Sequence, residues 1–146
     1  MKLTANSLGL VTTNPLSARD LALVAGGGAI GAAVRWGLME TTAGTDGGLA
    51  GPVLLANLVG CGLLGLILGR GVGRSARLLV GAGLCAGLTT FSTFAVEVAH
   101  LLRDADPSGA ASYAALSVVG GLVLYLLGRK IGETMTREVM VDGGSC

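Results

Sequence analysis

Four long apolar stretches, almost free of charge, constrain this chain more than any other feature. They run from about Leu21 to Met39, Leu49 to Gly69, Leu78 to Leu102 and Ala110 to Gly128. Arg35 interrupts the first, and Glu97 and His100 stand near the end of the third. A membrane-spanning helix needs about 20 mostly apolar residues, and each stretch supplies them. Only 13% of the 146 residues are charged, against about 25% in soluble domains. The expectation is therefore an all-α membrane protein of four transmembrane helices. Its single domain covers residues 21–130, between polar tails at 1–20 and 131–146.

The connections are short: Thr41 to Gly48, Arg70 to Arg77, and Arg103 to Gly109. Such links favour antiparallel neighbours. Lys2 is followed by Thr4, Asn6 and Ser7 rather than an apolar core, so the first segment does not read as a signal peptide. With four spans, both tails and the middle connection share one side. That side carries Lys2, Arg19, Arg70, Arg74, Arg77, Arg129, Lys130 and Arg137, while the other carries only Arg103. The positive-inside tendency then puts both termini in the cytoplasm.

Glycine pairs four apart recur within the spans, at Gly27 and Gly31, Gly65 and Gly69, and Gly83 and Gly87. They predict close helix crossings and an oligomer. A net charge of +1 argues against nucleic acid as a partner. Cys61, Cys85 and Cys146 form no framework and read as packing or tail residues. Gly26, Gly28 and Gly31 spell G-x-G-x-x-G, with Asp46 beyond them. That fingerprint requires a βαβ unit, and here it opens a membrane span, so dinucleotide binding is rejected.

Polar groups inside hydrocarbon are costly and mark function. Asn57 stands near the middle of the second span, offering two donors and an acceptor. An interhelical hydrogen bond that only stabilises packing is the alternative reading. The third span contains Thr89, Thr90, Phe91, Ser92, Thr93 and Phe94 in succession. Four hydroxyls in five residues, preceded by glycine, predict a break in the third helix at mid-membrane. Freed backbone carbonyls would then face another chain, water or a cation. The alternative is a continuous helix whose hydroxyls bond back to their own carbonyls.

Phe91 and Phe94, three apart, share a helix face, and an aromatic edge carries partial positive charge. Tyr113 and Ser117, four apart, form a thin polar line that continues to Gly121. Arg35 either snorkels to the interface or offers positive charge to an entering anion. Glu97 and His100 read as marks of the interface. A Ser92–Glu97–His100 hydrolase arrangement is rejected, because one helix cannot present that geometry; the chain does not read as an enzyme.

Together these segments resemble the Fluc (CrcB-type) fluoride channels. Gly26 to Trp36 looks like the family's first-helix motif, Ala56 to Gly60 like its second, and Gly87 to Glu97 like its third. The likeness runs from about Leu21 to Gly128. It implies an antiparallel, dual-topology dimer with two fluoride pathways and a central sodium ion. It also implies passive fluoride export across the plasma membrane of a prokaryotic-type cell. Carried over, Asn57 lines the fluoride path, Phe91 and Phe94 supply ring edges, and Ser92, Thr93, Tyr113 and Ser117 form a polar track. The sodium takes the backbone carbonyls of Ala86 and Thr89. Relatives commonly have glycine at the position of Ala86 and can carry a hydroxyl at that of Gly121. The eight-to-one cation bias suits a fixed orientation, so the dimer partner is either a second copy or a homologue inserted the other way. Two rival readings are a small proton-coupled multidrug exporter and a non-transporting membrane assembly subunit. The first needs a carboxylate deep in the membrane, whereas Glu40 and Glu97 read as lying at span ends.

Overall fold

In lipid every backbone polar group must find a partner within the protein, and a helix provides this within one segment. A computed structural model describes residues 16–42 and 50–142, and the described chain is helical throughout its long elements. Helix α1 is Ala18–Thr42, α2 is Ala50–Gly69, α3 is Arg74–Ala76, and a π-helical stretch follows at Arg77–Cys85. Helix α4 is Ala86–Leu88, α5 is Phe91–Arg103, and α6 is Pro107–Asp142. Four stretches are long and apolar enough to cross a membrane: Ala18–Thr41, Gly51–Gly69, Arg74–Arg103 and Pro107–Arg137. Most of the first connection and of the N-terminal tail lies outside the described residues.

Local chemistry explains the helix ends. Ser17 and Asp20 exchange backbone and side-chain hydrogen bonds of 3.1 Å each, a reciprocal cap that starts α1. Asp20 also meets Arg74 at 2.9 Å, tying the start of α1 to α3. Before α6, the Asp106 carboxylate accepts from the Gly109 N–H and the Ser108 hydroxyl, both at 2.8 Å. The Gly109 N–H and then the Ser108 hydroxyl hold that carboxyl below the usual range. Pro107 begins α6, where a missing N–H costs nothing. At the end of α5, Ala105 adopts a positive φ of 56°. The Asp106 N–H then reaches the Leu101 carbonyl at 2.9 Å and the Ala105 N–H reaches Leu102 at 3.3 Å, a helix terminator of the Schellman type. Beyond Gly128, α6 continues as helix through the charged segment, where Arg129 and Glu133 pair at 2.9 Å one turn apart.

Two tight crossings organise the helices: α1 against the π-helical stretch and α4, and α2 against α6. A Cβ on Gly27 would strike the Leu79 carbonyl, one on Gly31 the Leu84 carbonyl, and one on Gly87 the Gly28 carbonyl. Likewise Gly65 faces the Tyr125 carbonyl, Gly69 that of Arg129, and Gly128 that of Gly62. The recurring glycine pairs are thus absorbed by contacts inside one chain. The crossings they predict are present, but they supply no argument for an oligomer.

Candidate functional site

Between Leu88 and Phe91 the helical ladder is interrupted. Thr89 has φ −81° and ψ 152°, Thr90 has φ −149° and ψ 123°, and both are extended. A helix end leaves its last carbonyls and first N–H groups without intrahelical partners, so the surrounding side chains have to meet them. Asn57 on α2 does so for Thr90: its Oδ1 accepts the Thr90 N–H at 2.9 Å, and its Nδ2 donates to the Thr90 carbonyl at 3.3 Å. Thr90 in turn caps α5, its hydroxyl accepting from the Thr93 N–H at 3.3 Å. The same hydroxyl lies 3.1 Å from that of Ser92 and 3.2 Å from that of Thr93. On the other side, the Arg35 Nε donates to the Gly87 carbonyl at 3.3 Å.

This neighbourhood opens on a cavity of about 440 Å³ between α2, the π-helical stretch, α4, α5 and α6. Asn57, Phe91, Phe94 and Ser117 border it, as do Ala86 and Thr89 beside the interruption. No charged side chain is among its lining residues within the described chain. The ring centroids of Phe91 and Phe94 are 5.8 Å apart, and Phe94 stacks on Tyr113 at 5.6 Å. Tyr113 is buried, and its hydroxyl and that of Ser117 are both buried without a hydrogen-bond partner. Two unsatisfied hydroxyls four residues apart on α6 are costly in a membrane interior and are the kind of feature a ligand relieves.

Several residues fall differently from their sequence reading. Arg35 is half-buried and spends its Nε on a helix-end carbonyl, and it is not among the residues that border the cavity. Glu97 is buried at 8% exposure, within the α5 segment that packs on α6, whereas His100 is exposed. The helix turns Glu97 inward while His100, three residues on, points out. Ser92 is exposed and Thr93 half-buried, and both are joined to Thr90. Thr90 is the residue that sequence reasoning left without a role. Its position just before Phe91, with Thr93 three residues on, carried the signal of a helix N-cap.

The chain is 40% identical over 111 residues to "Fluoride-specific ion channel FluC 2" of Rhodococcus jostii (strain RHA1), covering 75% of this chain and 95% of that protein. It is 37% identical over 115 residues to "Fluoride-specific ion channel FluC" of Pseudomonas aeruginosa (strain UCBPP-PA14), covering 75% and 91%. A third relative of the same name, from Prosthecochloris aestuarii (strain DSM 271 / SK 413), is 35% identical over 116 residues, covering 76% and 91%. Residues 22–129, which contain the interruption, the cavity and both glycine crossings, match the family described as "CrcB-like protein, Camphor Resistance (CrcB)", and the chain belongs to that family.

Proposed function

We propose that this chain is a subunit of a fluoride-selective, passive anion channel that exports fluoride and relieves its toxicity. The observation that carries the reading is an uncharged cavity bordered by Asn57, Phe91, Phe94 and Ser117. Fluoride is small and holds its water tightly, so a selective path must replace that water with compact donors. A full positive charge would trap it, since conduction needs binding that also lets go. After bonding the Thr90 carbonyl, the Asn57 amide keeps a second N–H, a neutral donor of this kind. Phenylalanine edges add partial positive charge, and the unpartnered hydroxyls of Tyr113 and Ser117 extend the donor line away from Asn57. Ser92 and Thr93 serve the same line through Thr90, and Arg35 acts on it by holding the Gly87 carbonyl. As a channel the protein performs no covalent chemistry.

In this reading the third span works as a helix broken at mid-bilayer, and two subunits pair antiparallel. Support for a second chain comes from Phe91, which is 81% exposed on a single subunit yet borders the cavity. A ring that lines a pathway needs its outer side closed. The partner is either a second copy or an oppositely oriented homologue; in the second case both termini of this chain lie in the cytoplasm. A sodium ion suits the carbonyls of Ala86 and Thr89, because hard cations take oxygen donors and both residues border the cavity, Thr89 within the interruption and Ala86 at the start of α4 before it. When bound it supplies fixed positive potential there.

The test is fluoride efflux from proteoliposomes under an imposed potential, read with a fluoride electrode. The expected outcome is rapid fluoride efflux with little chloride efflux, abolished by Asn57→Asp and by Phe91→Ile in protein that still assembles. Comparable chloride flux, or no fluoride flux, overturns the proposal and leaves the exporter or the assembly subunit. Tagging both termini of the chain expressed alone decides the partner: a single orientation requires an inverted homologue, and equal orientations require self-pairing.

A further inference from the structure

Cys61 on α2 and Cys85 at the end of the π-helical stretch are both free thiols, and both border the cavity. They come from different elements that the fold draws together at Gly60. A Cβ on Gly60, the residue before Cys61, would lie 3.6 Å from the Cys85 carbonyl oxygen. Cys85 is only 3% exposed, and Cys61 is half-buried, its sulfur 3.2 Å from the place a Cβ on Gly121 would take. Glycine at 121 thus leaves room that the Cys61 sulfur occupies.

We propose that Cys61 and Cys85 form a two-thiolate site inside this cavity for a thiophilic divalent cation that accepts two ligands, with Hg(II) as the probe. Three features of the site select that class. Thiolates favour soft cations, and the other donors around the cavity are the neutral oxygens of Asn57, Thr89, Thr90 and Ser117. Hard divalent ions call for carboxylates, and no group of three or more histidine, cysteine or acidic residues suited to a metal occurs among the described residues. Charge decides the rest. Two thiolates and a divalent cation make a neutral unit, whereas a monovalent soft ion would leave a net negative charge in an uncharged cavity, at a large desolvation cost.

The binding step involves no electron transfer. From mercuric chloride, two Hg–S bonds form and two Hg–Cl bonds break. Both thiol protons leave to water with the chlorides, so binding tightens as pH rises. An ion held there stands beside Asn57, Phe94 and Ser117 and obstructs the route assigned above; this obstruction rests on the proposed channel function, while the binding does not.

The full chain carrying Cys146→Ser, which removes the thiol outside the described residues, is titrated with mercuric chloride in detergent. Sulfur-to-mercury absorption and the remaining free thiols are followed. The expected result is one mercury per chain, with both thiols lost together and the ion retained against excess glutathione. Cys61→Ser and Cys85→Ser, with Cys85→Ala as a second choice for the buried site, should each weaken retention roughly a hundredfold, the loss of a chelating partner. Two mercury ions per chain, or unchanged retention in the single variants, overturns the site. In proteoliposomes, mercury should stop fluoride efflux in the parent, and glutathione should restore it only in the single-thiol variants. Continued efflux with mercury bound overturns the obstruction. A parent that carries no fluoride at all counts against the channel, and the titration still decides the site.

Discussion

The crossing of α2 with α6 and the interruption between α4 and α5 satisfy the same membrane constraint in opposite ways. At the crossing, Gly65, Gly69 and Gly128 let one backbone rest on another's carbonyls, and the helical ladders stay whole. No polar side chain is required. At Thr89 and Thr90 the ladder stops, and the backbone is completed by Asn57 and Arg35 from two other helices. The first region gains its stability from the absence of side chains, the second from a few irreplaceable ones. The proposed function draws on the second, because polar groups held in place by side chains are the ones that can also face an ion.

Enlarging a crossing glycine gives the greatest expected effect. In Gly65→Leu the new Cβ falls on the Tyr125 carbonyl, with backbone rather than a flexible side chain in the way. Overpacking of this sort costs about 3 kcal/mol or more, and size-exclusion profiles and thermal unfolding in detergent should show loss of folded protein. A well-folded Gly65→Leu would break the comparison, since side chains would then be tolerated at the crossing. Next comes Asn57→Ala, which leaves the Thr90 N–H and carbonyl without their partner. The expected loss is about 2 kcal/mol, with faster exchange of the Thr90 amide proton while amides in α2 and α6 keep their protection. Equal loosening everywhere would mean the interruption is not a separately held region.

The two regions also differed in how plainly the sequence announced them. Spacing of four between glycines is a local pattern, and so is a run of 20 apolar residues, so the spans and crossings were readable within a few positions. The boundaries shifted where the chain found new partners: the Ser17–Asp20 cap moved the start of α1 to Ala18, and past Gly128 α6 still packs on the end of α2, through Gly132 against the Leu66 carbonyl and Thr136 on that of Arg70. Asn57 was recognisable as an anomaly, but not as the partner of Thr90, which lies 33 positions away. The acceptor of Arg35 was hidden for the same reason, because Gly87 is 52 positions distant. Helix phase was hidden as well: three residues separate Glu97 from His100, yet one is buried and the other exposed. Long-range pairing and the exact rotation of a helix depend on packing that no local pattern encodes.

Arg35→Met sharpens the contrast at smaller scale. Methionine keeps the apolar stem but removes the donor to the Gly87 carbonyl, a single bond of 3.3 Å. The expected destabilisation is about 1 kcal/mol, seen as a lower unfolding temperature, with fluoride efflux reduced less than by Asn57→Asp. If Arg35→Met abolishes efflux without affecting stability, the guanidinium acts on the anion directly rather than through the helix end.

The smallest effect belongs to Ala105, where the backbone leaves the helix outside the hydrocarbon and is satisfied by the backbone alone. Its N–H and that of Asp106 already reach Leu102 and Leu101, so no side chain is needed, and the remaining cost is the alanine Cβ at a φ of 56°. That strain is about 1–2 kcal/mol for a residue with a Cβ, while glycine gives back about 0.5–1 kcal/mol through its freer unfolded state. Ala105→Gly should therefore stabilise the protein by about 0.5 kcal/mol, raising the unfolding temperature slightly with unchanged efflux. The opposite sign at this position would show that the α5–α6 turn relies on its side chain, as the interruption at Thr90 relies on Asn57.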